Sequence, residues 1–145
     1  MNKTGPIILI EDDSDDLELI IQIFKEIKIE NKVHSFFDGV EAYEFLKKFP
    51  EQPFLILSDV NMPKLNGFEL REKIQNNENL NLKCIPYLFF TTSAEQKMVV
   101  DAYSNSVQGF FVKPTNYNNL KRILTNIVEY WKDCHSPHAN GSLKD

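Results

Sequence analysis

Four short apolar runs in this chain each end in residues that can handle charge. Glu11 and Asp12 follow Ile7-Ile8-Leu9-Ile10. Asp59 follows Phe54-Leu55-Ile56-Leu57-Ser58, Thr91 follows Tyr87-Leu88-Phe89-Phe90, and Lys113 follows Gly109-Phe110-Phe111-Val112. A carboxylate such as Asp59 is ionised at neutral pH, so it can attack phosphorus without a general base and become an acyl phosphate. An ammonium at Lys113 and a hydroxyl at Thr91 would donate to the oxygens of an incoming phosphoryl group, and the amides of the loop after Asp59 would add further donors. Glu11, Asp12 and Asp59, if crowded together, would repel one another and raise at least one pKa in the absence of a counter-ion. Mg²⁺ relieves such crowding, because it takes hard oxygen ligands and keeps several waters. The three carboxylates with the backbone carbonyl of Asn61 would give it a partial shell, from which it would also neutralise phosphoryl charge.

Each of these residues has a plainer reading on its own. An Asp often ends a strand, acids suit the first turn of a helix, and Thr91 or Lys113 before Pro114 could be simple strand-end and turn residues. Their joint occurrence at successive strand ends favours the chemical reading.

The elements that must bring these residues together are legible as alternating runs. Strands are expected at residues 7–10, 33–37, 54–58, 87–90 and 109–112, the second less apolar and nearer an edge. Helical spacing follows each. Leu17, Ile20, Ile21, Phe24 and Ile27 come after an acidic turn in which Asp13 or Ser14 is the N-cap. Ala42, Phe45, Leu46 and Phe49 follow a turn at Asp38-Gly39 and stop at Pro50. Phe68, Leu70 and Ile74 face inward in a third helix. Met98, Val99, Ala102 and Tyr103 mark a fourth, and Leu120 through Trp131 a long fifth. A polar connector spans 76–83 and a loose tail spans 134–145. Strands joined through helices run parallel with right-handed crossovers. The expected class is therefore α/β, a flavodoxin-like, doubly wound five-stranded parallel sheet with five helices and strand order 2-1-3-4-5. That order sets the carboxyl ends of the first and third strands side by side.

Composition narrows the function classes. A chain of 145 residues suits one domain with a real core. A net charge of −5, with no long basic run, argues against nucleic acid or an anionic membrane as the main partner. Cys84 and Cys134 lie far apart without metal-ligand spacing, so both are expected as free thiols in a reducing compartment. The apolar run near the N-terminus is too short for a signal peptide or a membrane span, which points to the cytoplasm.

Taken together, the acid pair after Ile7–Ile10, the run Asp59-Val60-Asn61-Met62-Pro63 with Gly67, then Thr91 and Lys113-Pro114, resemble the receiver domain of the two-component response-regulator family. The resemblance covers residues 5–133. It implies a phosphoacceptor at Asp59, served by a sensor histidine kinase or phosphotransfer protein, with Mg²⁺ at Glu11, Asp12, Asp59 and the Asn61 carbonyl. It also implies a switch in which Thr91 moves toward the phosphoryl group and an aromatic ring on the fifth strand, here Phe110, rotates. The face formed by the fourth helix, fifth strand and fifth helix would then carry the output to a downstream protein or to a second copy of the chain. Val99, Val100, Tyr103, Phe110 and Phe111 give that face apolar material.

Two positions depart from the common pattern. Glu11 stands where many members have Asp and is expected to reach the metal through water, and Thr92 follows Thr91 where many have Ala, narrowing access. The Thr-Thr-Ser run resembles stand-alone regulators paired with phytochrome-type kinases. After the last helix too few residues remain for a folded output domain, so signalling through the receiver's own contacts is expected.

Three rivals are separable. A phosphatase of the haloacid-dehalogenase type needs an acid two residues after its nucleophile, where this chain has Asn61. A flavin or nucleotide module needs a phosphate-cradling first turn, where this chain has five acids in Glu11-Asp12-Asp13-Ser14-Asp15-Asp16. A receiver-like binding module acting without phosphorylation would share the whole pattern.

Overall fold

The structure, a computed structural model, describes residues 1–78, 84–92 and 95–136. Elements alternate along the chain: β1 Ile7–Ile10, α1 Ser14–Glu26, β2 Val33–Phe36, α2 Gly39–Lys48, β3 Leu55–Ser58, α3 Gly67–Asn76, β4 Tyr87–Thr91, α4 Gln96–Ser104, β5 Gly109–Val112 and α5 Tyr117–Asp133. The strands form one sheet of order β2-β1-β3-β4-β5, and every neighbouring pair is parallel. The fold is thus the expected flavodoxin-like arrangement. In register, Ile10 lies opposite Ser58 and Phe36, Ser58 opposite Phe89, and Thr91 opposite Val112. The carboxyl ends of β1, β3, β4 and β5 therefore share one rim.

Strand alternation divides the core in two. Ile7 and Leu9 of β1 join Leu55, Leu57, Leu88 and Phe90 against the inner stripes of α1 and α5. Ile8 and Ile10 join Ile56, Tyr87 and Phe89 against α2, α3 and α4. The three central strands are buried at every residue, which is why their sequences are continuous apolar runs. The edge strands β2 and β5 are only half-covered. Each fully buried Leu, Ile or Phe contributes roughly 1.5–3 kcal/mol through apolar surface removed from water.

Local signals place the helix starts. Asp13 is the N-cap of α1, its carboxylate accepting from the amides of Asp15 at 2.9 Å and Asp16 at 3.2 Å. Asn66 caps α3 in a reciprocal pair with Glu69. Asn116 caps α5.

Some expectations are revised. Asp38-Gly39 is the start of α2 rather than a free turn. Asp38 accepts from the Glu41 amide at 2.9 Å, and Gly39 is the first helical residue. The same short carboxylate that favours a turn also caps a helix, and here the helix competes better. β2 stops at Phe36, leaving Phe37 52% exposed, because Asp38 must leave the strand to cap. Strand alternation also separates two residues expected on one face. Phe110 packs on the α4 side of the sheet and Phe111 on the α1–α5 side. Most of the polar connector and of the C-terminal tail, residues 79–83 and 137–145, lies outside the described residues, as do residue 93, the last of the Thr-Thr-Ser run, and residue 94.

Candidate active site

Backbone hydrogen bonds fix the rim before any side chain acts. The Asp59 amide donates to the Ile10 carbonyl at 3.0 Å, the Glu11 amide to Phe36 at 3.0 Å, and the Lys113 amide to Thr91 at 2.7 Å. Glu11, Asp59 and Lys113 are thus each the first residue beyond a strand, held by the neighbouring strand's last carbonyl, and Thr91, the last residue of β4, supplies one of those carbonyls. The loop after Asp59 folds back on itself. The Gly67 amide donates to Val60 at 2.8 Å, and Lys64 takes a left-handed φ of 65° to make the turn. Glycine is required at 67, since a Cβ there would stand 2.4 Å from the Asp59 carbonyl oxygen and 2.6 Å from the Phe89 ring.

Glu11, Asp12, Asp59 and Lys113 converge. One carboxylate oxygen from each of the three acids lies within 4.8 Å of the others. Glu11 and Asp59 are buried, and Asp12 is exposed. The Lys113 ammonium, 7% exposed, donates to Glu11 Oε2 at 2.6 Å and reaches Asp59 Oδ2 at 3.4 Å. Asp59 Oδ1 accepts the Val60 amide at 2.7 Å. The two oxygens of Asp59 therefore differ: Oδ1 accepts a short bond from a backbone amide, whereas Oδ2 makes the longer contact to Lys113 and is the better placed to attack. Thr91 is buried at the end of β4, between β3 and β5. Asn61 is exposed, two residues beyond Asp59. Phe110 is half-buried, its ring edge-on to Phe89 with centroids 5.9 Å apart.

The electrostatics follow from burial and crowding. Desolvation pushes the Glu11 carboxyl up to about 8, Lys113 pulls against that shift, and the charge of Asp59 adds to it. Burial acts to lower the pKa of Lys113, but Glu11, Asp59 and Asp16 outweigh it, so the ammonium stays charged at neutral pH. Three carboxyl groups, Glu11, Asp16 and Asp59, lie within 4 Å of this ammonium, and Asp12 clusters with two of them. The donor set is all oxygen, closely spaced and short of positive charge, which fits a hard divalent cation and does not fit a soft one.

Two contributors were not singled out from the sequence. Asp16 Oδ2 lies 3.2 Å from Lys113 Nζ. Its signal was its place three residues after the N-cap, which turns it back over the helix start. Ser58 donates its hydroxyl to the Asp59 carbonyl at 2.8 Å, fixing the backbone behind the acid. Beside Lys113, a groove of about 290 Å³ runs between α1 and α5, lined by Asp16, Leu19, Ile20, Thr115 and Leu120 among others.

Comparisons with known proteins show the family and the fold. The response regulator receiver domain matches residues 7–125. Response regulator Rcp1 of Synechocystis sp. is 32% identical over 135 residues, covering 90% of each chain. The crystal structure of the phosphorylated cyanobacterial phytochrome response regulator RcpA is similar at a TM-score of 0.83 and 28% identity, covering 93% of this chain and 99% of RcpA. The Mn²⁺-bound form of Rcp1 is similar at a TM-score of 0.80 and 29% identity, with the same coverage.

Proposed function

The chain belongs to the response regulator receiver family, whose expected function is phosphorylation-based two-component signalling, and from that premise we propose that Asp59 is its phosphoacceptor. The observation that carries the reading is the half-free carboxylate of Asp59, 3.4 Å from Lys113 and clustered with Glu11 and Asp12. The receiver unit is taken as residues 5–133, the family match extended to the end of α5.

Asp59 Oδ2 attacks the phosphorus of a donor phosphohistidine. An O–P bond forms as the N–P bond breaks, and the leaving imidazole keeps the bonding electron pair and takes up a proton. No proton need leave Asp59, because its carboxylate is already ionised. Lys113, freed from part of its contact with Glu11, follows the charge onto the transferring oxygens. The Thr91 hydroxyl donates to a second oxygen. Glu11, Asp12, Asp59 and the Asn61 carbonyl would hold Mg²⁺, which would supply neutralisation of phosphoryl charge; the Mn²⁺-bound form of the related Rcp1 supports such a site. Water later hydrolyses the acyl phosphate, so the chain assists its own phosphorylation and dephosphorylation without turning over a small-molecule substrate.

Histidine kinases or phosphotransfer proteins are the partners a receiver implies. The likeness to phytochrome response regulators favours a phytochrome-type kinase as the donor, and the groove between α1 and α5 gives that donor apolar ground beside Lys113. Output runs by protein contact, to a downstream target or a second copy, through the face of α4, β5 and α5, where Val100, Tyr103 and Val112 are exposed. Phe110 and Thr91 form the switch. No described helix is long and apolar enough to cross a membrane, and the chain acts in the cytoplasm.

The test is the intact mass after incubation with acetyl phosphate and Mg²⁺. A gain of one phosphoryl group, lost in Asp59→Asn and in EDTA, supports the reading. No gain, with no spectral response to beryllofluoride, favours the binding module that acts without phosphorylation.

A further inference from the structure

Two buried ionisable side chains, Arg71 and Tyr87, take no part in the site described above, and they touch each other. Arg71 sits on α3 and is 4% exposed. Its guanidinium lies over the Tyr87 ring, 5.4 Å from the centroid. Nε donates to the Asn105 carbonyl at 3.2 Å and Nη2 to the Ser106 carbonyl at 2.7 Å. Nη1 is buried and has no hydrogen-bond partner among the described residues. A partly unpaired buried guanidinium is a costly way merely to fill space, since an apolar side chain of similar volume would pack there without desolvating a charge.

Asn105 and Ser106 are the residues that end α4. Asn105 is its C-cap, and Ser106 takes a left-handed φ of 58° with its amide on Tyr103. The two carbonyls that Arg71 binds thus stand at the negative end of the α4 dipole. Among the described residues α4 is lightly held: its N-cap, Glu95, makes no side-chain capping bond, its first turn carries no acid and its last turn no base, and Ala102, with partly buried Met98 beside it, is its one buried residue. The other tie on the turn also leads to Tyr87. Gln108 donates its side-chain amide to the Ser106 carbonyl, and its backbone and side chain pair with the Tyr87 backbone at 2.9 and 2.7 Å. Tyr87 in turn donates its hydroxyl at 3.1 Å to the carbonyl of Gly67, the first residue of α3, whose own amide ties to Val60 beside Asp59.

We propose that Arg71 is a positioning residue that clamps helix α4 from α3, binding the carbonyls at its C-terminal end and setting how readily that helix lifts from the sheet. The clamp joins the phosphoacceptor loop, through Gly67 and Tyr87, to the helix that borders the exposed output face. It acts on α4 whether or not Asp59 carries a phosphoryl group, so it stands apart from the phosphoacceptor reading.

The experiment is amide hydrogen exchange on the full chain without any phosphoryl donor, comparing wild type with Arg71→Met and Arg71→Lys. Losing charge-assisted bonds at one end of a weakly held helix is expected to speed exchange over residues 96–107 by about tenfold or more in Arg71→Met. Peptides covering β1 and β3 keep wild-type rates, and Arg71→Lys, which keeps the charge but loses the fork, falls between. Unchanged exchange over 96–107, or a uniform rise along the whole chain, would overturn the clamp. Should Arg71→Met fail to fold, Arg71→Lys decides by the same two readings.

Discussion

Lys113 Nζ lies 2.6 Å from Glu11 Oε2, a buried ion pair between residues 102 positions apart that closes the rim of the sheet over Asp59. The pair has two consequences. It gives Glu11 a partner in a desolvated place, and it holds the ammonium 3.4 Å from the Asp59 carboxylate. Replacing Lys113 with Met keeps the stem and removes the charge. Loss of one preorganised donor of this kind slows such reactions by about 100- to 1,000-fold. The rate of phosphoryl gain from acetyl phosphate, followed by intact mass, is expected to fall accordingly, while the flavodoxin-like fold persists by circular dichroism.

The same pair sets a pH dependence. In the metal-free protein the Glu11 carboxyl titrates near 8, raised by burial and by Asp59 against the pull of Lys113. A folded-state value above the unfolded one means the folded state binds the proton more tightly. The stability from this group is therefore complete below its ordinary range near 4.5 and is lost as pH rises through about 8. Cation binding runs the other way, because Glu11 must give up its proton to join the ligand set. Isothermal titration with Mg²⁺ should show affinity rising by up to about tenfold per pH unit from pH 6 toward 8 and flattening above it. Glu11→Gln should bind more weakly and lose most of that slope.

Gly67 is predicted to be intolerant of even one methyl group. A Cβ would meet the Asp59 carbonyl oxygen at 2.4 Å and the Phe89 ring at 2.6 Å, and neither a backbone oxygen nor a fully buried ring can give way cheaply. Gly67→Ala should destabilise the fold by about 1–3 kcal/mol in urea denaturation. Because the strain falls on Asp59, the proposed phosphoacceptor, labelling there should slow even under conditions where the variant is fully folded.

How much of this was legible from residues alone depended on the kind of signal. Glu11, Asp59 and Lys113 each follow a buried apolar run, and a parallel sheet brings the ends of such runs to one rim whatever the details of packing. Asp16 was less visible, since its contact with Lys113 depends on the phase of α1 and on the reach of a lysine from β5. Arg71 was hidden for the opposite reason. Hydrophobic periodicity assigns a charged residue to the solvent side, and only the tertiary meeting of α3 with the end of α4 buries it. Asp38 shows a third limit, because one carboxylate serves equally well in a turn or as a cap, and the following helix decided between them.

The output face offers the last test. Val100, Tyr103 and Val112 are 53%, 54% and 46% exposed, on α4 and at the end of β5, so a charged replacement there removes little packing. Tyr103→Glu should leave the unfolding free energy from urea denaturation within about 0.5 kcal/mol of wild type, as surface changes generally do. A carboxylate set in the middle of an apolar contact must be desolvated on association, and that penalty is enough to abolish a modest interface. If this face pairs two copies when Asp59 is occupied, light scattering with Mg²⁺ and beryllofluoride should show wild type shifting toward a dimer and Tyr103→Glu remaining monomeric. A beryllofluoride-induced dimer that persists in both Tyr103→Glu and Val112→Glu would place the contact elsewhere on the molecule. The half-covered edge strand β2, just beyond which Phe37 stands exposed, would then be the next surface to change.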